Sequence, residues 1–252
     1  MDFRQHTALV TGASSGIGRA LALALRRAGA RVIATGRDQG RLEALRADEP
    51  DLVLLPADLA DRASRNRLVA EVTQCAPHLS LLINNAGVQH PANHAAVTDD
   101  IAMTRHRDAA AEEITVNVEA VVDLTLALLP RLRTAPRAAV VLMSSGLALA
   151  PKKSAPVYCA SKAFLHSFGK ALRYQCEDDA PHVQVMEVLP PLVDTPMTAG
   201  RGRRKLRPEA VATATLAGLC GRRAEVNVGA VGLLRGVQRL SPRLADRLLR
   251  NR

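Results

Sequence analysis

Thr11-Gly-Ala-Ser-Ser-Gly-Ile-Gly18 is the stretch of this chain that decides its fold. It follows an apolar run at His6–Val10 and precedes a helical pattern, Ile17–Ala28, that ends at Gly29. Glycines at positions 12, 16 and 18 let the backbone turn tightly and approach a phosphate, while the start of the helix offers unpaired N–H groups and a positive dipole. The stretch predicts a phosphate-binding turn between a strand and a helix. A merely flexible turn is the alternative.

Apolar runs and helical patterns alternate along the rest of the chain. The pattern predicts strands at Arg31–Thr35, Asp51–Pro56, Leu79–Ile83, Ala138–Met143, His182–Leu189 and Val226–Gly229, with helices at Asp38–Ala47, Arg62–Cys75, Ala109–Leu129 and Val157–Cys176. Apolar strands separated by helices are typical of a parallel sheet covered on both faces. We therefore predict an α/β fold, a single doubly wound domain over residues 1–252, with ligands beyond the carboxyl ends of its strands. Residues 196–252 are expected to form the substrate-side and C-terminal helical segment.

Composition limits the class of protein further. With 252 residues and 48% hydrophobic content, the chain can bury a full core. We find no run of about 18 apolar residues and no signal-peptide pattern, so we expect a cytoplasmic protein. The four cysteines, Cys75, Cys159, Cys176 and Cys220, lie far apart, which favours buried thiols over disulfides or a metal site.

The net charge of +10 raises the question of nucleic acid. The basic residues are scattered, and aromatic residues, which would stack on bases, make up 2% of the chain. We predict a solvated basic surface and no nucleic-acid partner.

Val157-Tyr-Cys-Ala-Ser-Lys162 is the strongest indication of chemistry. On a helix, Tyr158 and Lys162 are four residues apart and share one face. A nearby ammonium stabilises a phenolate, and lowering the tyrosine pKa by about two to three units requires roughly 3–4 kcal/mol. We expect Lys162 to lower the pKa of Tyr158, with an ordinary surface pair as the alternative.

Four motifs together resemble the classical short-chain dehydrogenase/reductase family. They are Thr11–Gly18, Asn84-Asn-Ala-Gly87, Ser145 thirteen residues before Tyr158, and Tyr158-x-x-x-Lys162. The resemblance covers Thr7 to about Thr195 and implies a Rossmann-type fold, a nicotinamide cofactor, and hydride transfer that interconverts a carbonyl and an alcohol.

The resemblance also implies roles for four catalytic residues. Tyr158 would be the general acid or base, and Lys162 would tune it and bind the nicotinamide ribose. Ser145 would hold the substrate oxygen; the thirteen-residue spacing selects it over Ser144. Asn117, in Thr115-Val-Asn-Val118, would support a water that leads from the lysine to solvent, and an ordinary polar helix residue is the alternative.

The implied cofactor contacts are spread along the chain. Beyond Tyr158 and Lys162 they are Gly12, Ser14, Ser15, Gly16, Ile17, Gly18, Arg37, Asp58, Asn85, Ala86, Gly87, Pro190, Val193 and Thr195. Asp58 would contact the adenine ring, although it is also a natural helix N-cap. Pro191 stands where the family has glycine and stiffens the turn that would meet the nicotinamide carboxamide.

Ala34-Thr-Gly-Arg-Asp38 indicates which nicotinamide cofactor is used. Relatives that prefer NAD place an acidic residue at the end of the second strand. Here Arg37 can pair with a 2′-phosphate, together with Ser14. We predict that the protein prefers NADP(H), with NAD(H) as the alternative cofactor. The alternative for Arg37 itself is that its side chain faces solvent and contacts no cofactor.

A closer kinship is indicated by Ser144-Ser-Gly-Leu-Ala148, Pro156–Lys162 and Glu187–Thr195. They resemble the bacterial short-chain oxidoreductases named for D-alanine esterification of lipoteichoic acid. Residues 90–108 differ from that branch and should lie at the rim of the substrate cleft. The substrate is expected to be a small carbonyl or alcohol, and a non-catalytic NADP(H)-binding sensor or scaffold is the alternative function.

The C-terminal segment is basic and amphipathic. Leucines and a valine at Leu233, Val237, Leu240, Leu244, Leu248 and Leu249 form an apolar side opposite Arg243, Arg247, Arg250 and Arg252, with Ser241-Pro242 as a helix start. The segment is expected to pack on its own domain, with a subunit interface or an anionic membrane surface as alternatives. The family resemblance implies a homodimer or homotetramer through the helices Ala109–Leu129 and Val157–Cys176.

Overall fold

The computed structural model describes residues 1–202 and 204–251. Within these residues, seven strands form one parallel sheet in the order β3-β2-β1-β4-β5-β6-β7. The strands are β1 Thr7–Thr11, β2 Arg31–Thr35, β3 Val53–Leu54, β4 Leu79–Asn84, β5 Ala138–Met143, β6 Val183–Leu189 and β7 Glu225–Asn227. The predicted doubly wound, single-domain α/β fold is confirmed.

Helices cover both faces of the sheet. Their bounds are α1 Gly16–Arg27, α2 Gln39–Asp48, α3 Arg62–Cys75, α4 Asp100–Ile114, α5 Ala120–Leu132, α6 Pro156–Asp179, α7 Pro208–Cys220, α8 Val231–Leu240 and α9 Pro242–Leu249. Alternate strand residues face opposite layers: Val10 packs with α1 and α7, whereas Leu9 packs with α3, α5 and α6. Burial on both faces explains the uninterrupted apolar runs.

Aspartate side chains cap the starts of α2 and α3. The Asp38 carboxylate accepts the Arg41 N–H at 3.0 Å at the start of α2, and Asp61 accepts the Ala63 and Ser64 N–H groups at the start of α3. Asp58 therefore does not cap α3, because Asp61 fills that position. Its carboxylate instead accepts the Ala60 N–H at 2.9 Å.

Most predicted elements lie within two residues of the observed bounds, and two helices differ more: the one expected at Ala109–Leu129, and the one expected at Val157–Cys176, which ends three residues later at Asp179. The helix expected at Ala109–Leu129 begins at Asp100, where Asp99 accepts the Ala102 N–H at 2.8 Å, and a π-helical segment at Thr115–Glu119 separates α4 from α5. Strand β3 is shorter than the expected Asp51–Pro56, because its pairing with β2 covers two residues.

The C-terminal helices pack partly on their own domain. Ala245 is buried, whereas Leu240 is 90% exposed and Leu233 is 75% exposed, so the predicted apolar side is only partly covered. Ser241 precedes α9 as expected, but its side chain makes no capping hydrogen bond. Arg252 lies outside the described residues.

The structure also bears on the expected burial of the cysteines and on membrane-spanning helices. Cys159 and Cys176 are buried, but Cys75 is half-buried and Cys220 is exposed, so burial does not extend to all four thiols. Among the described helices, we find none with the length and apolar character needed to cross a bilayer.

Candidate active site

A cavity of about 1350 Å³ opens beyond the carboxyl ends of the strands. It lies where the strand order reverses between β1 and β4, and the loops that follow β1, β2, β4, β5 and β6 line it. Open parallel sheets bind their ligands at such switch points.

The glycine turn forms one wall of the cavity. Gly12 has φ +64° and Gly16 has φ +53°, values that L side chains rarely adopt. A Cβ at Gly12 would lie 2.9 Å from the Ala86 Cα, and one at Gly18 would overlap the Gly12 carbonyl oxygen. Ser15, the N-cap of α1, makes no side-chain capping bond, which leaves the first N–H groups of α1 for a ligand. The residues therefore fit a dinucleotide phosphate.

Hydrogen bonds fix the loop after β4 against the end of β1. The Asn85 side-chain amide donates to the Thr11 carbonyl at 2.9 Å, and the backbone N–H groups of Asn85 and Ala86 both donate to the Thr11 hydroxyl at 2.9 Å. Asn85, Ala86 and Gly87 line the cavity. The side chain of Asn85 is thus engaged in holding the two strand ends together.

Asn117 lies in the π-helical segment and is fully buried. Its Oδ1 accepts the Val88 N–H at 2.8 Å, and its Nδ2 donates to the Val88 carbonyl at 2.9 Å and to the Ser161 hydroxyl at 3.2 Å. These bonds use both ends of the amide. Asn117 therefore anchors the loop after β4 beside Lys162; a Cβ at Gly87 would lie 3.1 Å from the Asn117 oxygen and 3.5 Å from Lys162 Nζ.

The two neighbouring serines after β5 face different partners. The Ser144 hydroxyl donates to the Lys162 carbonyl at 3.2 Å and is buried. The Ser145 hydroxyl accepts the Leu147 N–H at 3.1 Å and lines the cavity beside Tyr158. Ser144 lines the cavity as well, so the two serines differ in their hydrogen-bond partners and not in access to the cavity.

Tyr158 and Lys162 lie on the same face of α6 and both line the cavity. Lys162 Nζ lies 5.5 Å from the centroid of the Tyr158 ring and donates to the Met143 carbonyl at 2.9 Å. Lys162 is 3% exposed, whereas Tyr158 is half-buried because it borders the open cavity. The helical spacing thus brings the two side chains together as predicted.

The expected lowering of the Tyr158 pKa is not found in this structure. Burial raises the pKa of Tyr158 to about 12, and the Ser145 side chain and the Arg201 charge offset only part of this increase. Burial also lowers the pKa of Lys162 to about 8, partly opposed by the negative charge of Glu187. Desolvation is the largest cause of both shifts, and the Lys162 charge is not among the causes of the Tyr158 shift.

The loop after β6 closes the cavity beside the glycine turn. A Cβ at Gly16 would lie 2.8 Å from Thr195 Cγ2, so Thr195 contacts this turn. Val193 is buried and pairs with Leu206, and the Pro190 carbonyl accepts the Gly146 N–H at 3.0 Å. Pro190, Val193 and Thr195 all line the cavity.

Arg37, Ser14 and Asp58 line the opposite end of the cavity. Arg37 is not simply solvated: its Nη1 lies 3.2 Å from Glu112 Oε1 on α4. Arg41, which the sequence analysis missed, lines the same end and lies 3.0 Å from Asp38. Its position on the first turn of α2, four residues after Arg37, was the available indication.

The substrate side includes residues that the sequence analysis did not identify. Arg201 Nη1 donates to Gln89 Oε1 at 2.6 Å across the cavity, and Lys152, Val231 and Leu234 also line it. Of residues 90–108, expected at the rim, Pro91 lines this cavity, whereas His90, His94 and His106 border a small separate pocket.

The sheet order and the glycine turn at its switch point define a Rossmann-type nucleotide-binding protein. Residues 6–205 match the family model described as short chain dehydrogenase, so the chain belongs to the short-chain dehydrogenase/reductase family and is an oxidoreductase by that membership.

Known relatives agree with this assignment. The chain is 38% identical over 195 residues to the uncharacterized oxidoreductase DltE of Bacillus subtilis, covering 77% of this chain and 74% of the relative. A short chain dehydrogenase from Burkholderia cenocepacia in complex with NADP is similar at a TM-score of 0.85 and 28% identity, over 99% of both chains. A 3-ketoacyl-(acyl-carrier-protein) reductase from Brucella melitensis complexed with NADH reaches 0.77 at 25% identity, over 88% and 96% of the two chains.

Proposed function

We propose that this protein is an NADP(H)-dependent oxidoreductase that interconverts a carbonyl compound and a secondary alcohol. The observation that carries the proposal is the meeting of Ser145, Tyr158 and Lys162 on one wall of a cavity whose other wall is the glycine turn. A hydroxyl, a phenol and an ammonium at the nucleotide site can bind a carbonyl oxygen and move a proton to or from it.

The cofactor preference rests on the charges around the far end of the cavity. Ser14, Arg37 and Arg41 would hold a 2′-phosphate, because two guanidinium groups and a hydroxyl line that end. The NADP complex of the Burkholderia relative supports this preference. The NADH complex of the Brucella relative keeps NAD(H) as the alternative.

The residues of this chain divide the chemistry between them. A reduced nicotinamide held in this cavity would supply a hydride to the carbonyl carbon. Tyr158 donates its proton to the carbonyl oxygen, and Ser145 donates a hydrogen bond to the same oxygen and orients it. Lys162 provides positive charge beside Tyr158 and binds the ribose of the cofactor. Asn117 keeps the Val88 backbone in place next to the lysine.

The raised pKa of Tyr158 suits the reducing direction. A phenol with a pKa of about 12 is protonated at neutral pH and ready to donate. In the oxidising direction the phenolate is required, and the positive charge of an oxidised nicotinamide would help to stabilise it.

Tyr158→Phe separates the enzyme from the alternative, a non-catalytic NADP(H)-binding sensor or scaffold. We expect turnover to fall by about 10²–10⁴-fold while NADPH binding stays within about twofold, since proton transfer contributes a factor of that order. The assay follows absorbance of the reduced nicotinamide over a panel of carbonyl and alcohol substrates. Near-normal rates in the variant would contradict the mechanism, and no turnover by the wild type on any substrate would favour the sensor.

A homodimer or homotetramer is part of the same proposal. Leu126 on α5 and Phe164 on α6 are 55% and 41% exposed, which supports burial of these helices between subunits. The exposed leucines of α8 and α9 leave a peripheral membrane contact as the alternative use of the C-terminal segment.

A further inference from the structure

Two cationic side chains lie at the catalytic end of the cavity without a neighbouring carboxylate in the part of the chain that the structure describes. Lys152 and Arg201 both line the cavity on the side of Tyr158, and the Arg201 charge acts on Tyr158. The carboxylates that line the cavity among the described residues are Asp38 and Asp58, and both belong to its opposite end. In the described part of the chain, no carboxylate lies within 4.0 Å of either Lys152 or Arg201.

The two cations also repel one another. Burial and the neighbouring Arg201 charge both lower the pKa of Lys152. Arg201 is fixed by neutral oxygens, the side-chain oxygen of Gln89 at 2.6 Å and the Met197 carbonyl. Two half-buried cations, of which Arg201 has neutral hydrogen-bond partners, create a positive potential that an anion would relieve.

The wall beyond these cations is apolar. Val231, Leu234 and Val237 from α8 and Leu249 from α9 line the cavity. The Lys153 N–H donates to the Arg250 carbonyl at 3.0 Å, which ties the end of α9 to the loop that carries Lys152. An apolar wall therefore lies close to the positive group.

We propose that the substrate is an oxo acid with an apolar chain, or the corresponding hydroxy acid; this inference rests on the proposed function. Its carboxylate pairs with Lys152 and Arg201, and its chain lies along α8 and α9. In reduction the carbonyl carbon gains the hydride and the carbonyl oxygen gains the proton of Tyr158, while the carboxylate is unchanged.

Matched acids and esters test this subsite. Medium-chain 2-oxo and 4-oxo acids and their methyl esters are compared in the wild type, Lys152→Met, Arg201→Met and the control Lys153→Met, whose side chain is exposed. We expect at least one acid to have a KM about tenfold or more below that of its ester. Each of the first two variants should raise the ratio of the KM for that acid to the KM for its ester about tenfold, and the control should leave this ratio unchanged.

A binding arm makes failure of the subsite distinguishable from failure of the proposed function. Calorimetry measures the same acids against the NADPH complex of Tyr158→Phe, so turnover is not needed. Acid binding that Arg201→Met weakens supports the subsite even without turnover. Equal binding of acids and esters overturns it, and so does a loss of NADPH affinity in Arg201→Met that accounts for the whole effect.

A second, independent observation concerns the buried charge behind Lys162. Glu187 on β6 is 2% exposed; its Oε2 lies 2.6 Å from His166 Nδ1, and its Oε1 has no hydrogen-bond partner among the described residues. His166 follows Lys162 by one helical turn on α6. Glu187 pairs with Leu142, the neighbour of Met143, whose carbonyl accepts the Lys162 ammonium.

Among the described residues, charged groups near Glu187 come from three packed elements, α6, β7 and α8. His166 contacts it from α6, and Lys162 lies one turn before His166 without an ion pair to Glu187 within 4.0 Å among the described residues. Arg173, also on α6, donates to the Ala224 carbonyl that accepts the Glu187 N–H. Glu225 pairs beside Glu187 on β7, and Arg235 on α8 forms an ion pair with Glu225. His166, Glu187 and Glu225 offer atoms within 4.8 Å of one another, as metal ligands do. Arg235 already supplies the positive charge that Glu225 requires, which favours an ion network over a metal.

We infer that Glu187, held by His166, is a positioning residue whose buried carboxylate is the counter-ion of Lys162. A fully buried ammonium with one carbonyl acceptor needs a compensating anion to stay charged. The Glu187 charge raises the pKa of Lys162 against the effect of burial, and the hydrogen bond to Glu187 raises the pKa of His166.

Lysine titration by NMR tests this inference without catalysis. The chain has five lysines, so ¹³C-labelled lysine gives few signals, and Lys162→Met identifies the one of interest. We expect Glu187→Gln to lower the pKa of Lys162 by about one unit or more. Glu187→Asp keeps the charge and should restore most of the difference. The control Glu225→Gln should leave the Lys162 titration unchanged.

Three results would overturn the inference. The first is a Lys162 pKa that is unchanged in Glu187→Gln, and the second is a Lys162 pKa that shifts equally in Glu225→Gln. The third is a Lys162 signal that responds to Zn²⁺ in the wild type but not in His166→Gln. The last result would assign the cluster to a metal. If Glu187→Gln does not fold, Glu187→Leu decides: loss of the counter-ion should again lower the pKa of Lys162 by about one unit or more, and an unchanged Lys162 titration in that variant overturns the inference.

Discussion

Replacing Arg37 by glutamine should reduce the preference for NADP(H) over NAD(H). Arg37 is 64% exposed at the far end of the cavity, and its guanidinium lies 3.2 Å from Glu112. Glu112 also lies 2.8 Å from His90 Nε2, so it has a second partner if Arg37 turns toward a phosphate.

The magnitude follows from what Arg37 gains and loses on binding. Hydrogen bonds between a charged donor and a charged acceptor contribute about 1.5–3 kcal/mol. The exposed pair with Glu112, worth about 0–1 kcal/mol, is lost when the guanidinium contacts the 2′-phosphate. The net of about 0.5–3 kcal/mol corresponds to a loss of NADPH affinity of about 2- to 140-fold.

Fluorescence titration with NADPH and NADH measures both affinities. Arg37→Gln should weaken NADPH binding by that factor and change NADH binding less than about twofold, because NADH has no 2′-phosphate. Glu112→Gln is the matched control: it releases Arg37 and should leave NADPH binding unchanged or tighten it by up to about fivefold. An equal loss for both nucleotides, or tighter NADH binding by the wild type, would refute the reasoning.

Three further predictions follow from the same geometry. NADPH affinity should fall by up to about tenfold per pH unit as the pH rises through about 8, because Lys162, with its lowered pKa, loses its charge there. NADPH binding measured between about pH 6 and about pH 9.5 checks this, and Lys162→Met should remove most of the pH dependence. The free energy of unfolding should show the reverse pH trend. The contribution of Lys162 to it rises between about pH 8 and about pH 10.5, because in this range the lysine is protonated in the unfolded chain and neutral in the folded one. Gly18→Ala should lower stability by about 1–3 kcal/mol or prevent folding, since its Cβ would overlap the Gly12 oxygen, whereas Gly236→Ala on α8 meets no atom within 4 Å and should be neutral or stabilising in a melting experiment. Light scattering should show an oligomer that Leu126→Arg or Phe164→Arg converts to a monomer, and a monomeric wild type would contradict the subunit interface.

Sequence patterns predicted the features that depend on neighbours along the chain. Strand Ala138–Met143 and helix Arg62–Cys75 have the predicted bounds, because apolar runs and helical periodicity report burial directly. The turn at Thr11–Gly18 was predictable because glycine permits the positive φ angles found at Gly12 and Gly16. Helical spacing predicted that Tyr158 and Lys162 share one face, and the other motifs of the family resemblance indicated their catalytic role.

Only the tertiary structure decided the features that depend on burial and on distant partners. The sequence places an ammonium near a phenol but does not contain the desolvation that raises the pKa of Tyr158 and lowers that of Lys162. It also does not show that Glu112 pairs with Arg37 or that Glu187 lies behind Lys162. These pairs join residues far apart in the chain, and the strand order and helix packing bring them together. Local propensity therefore determined the elements and the chemistry they carry, whereas the sheet order set the electrostatic surroundings in which that chemistry operates.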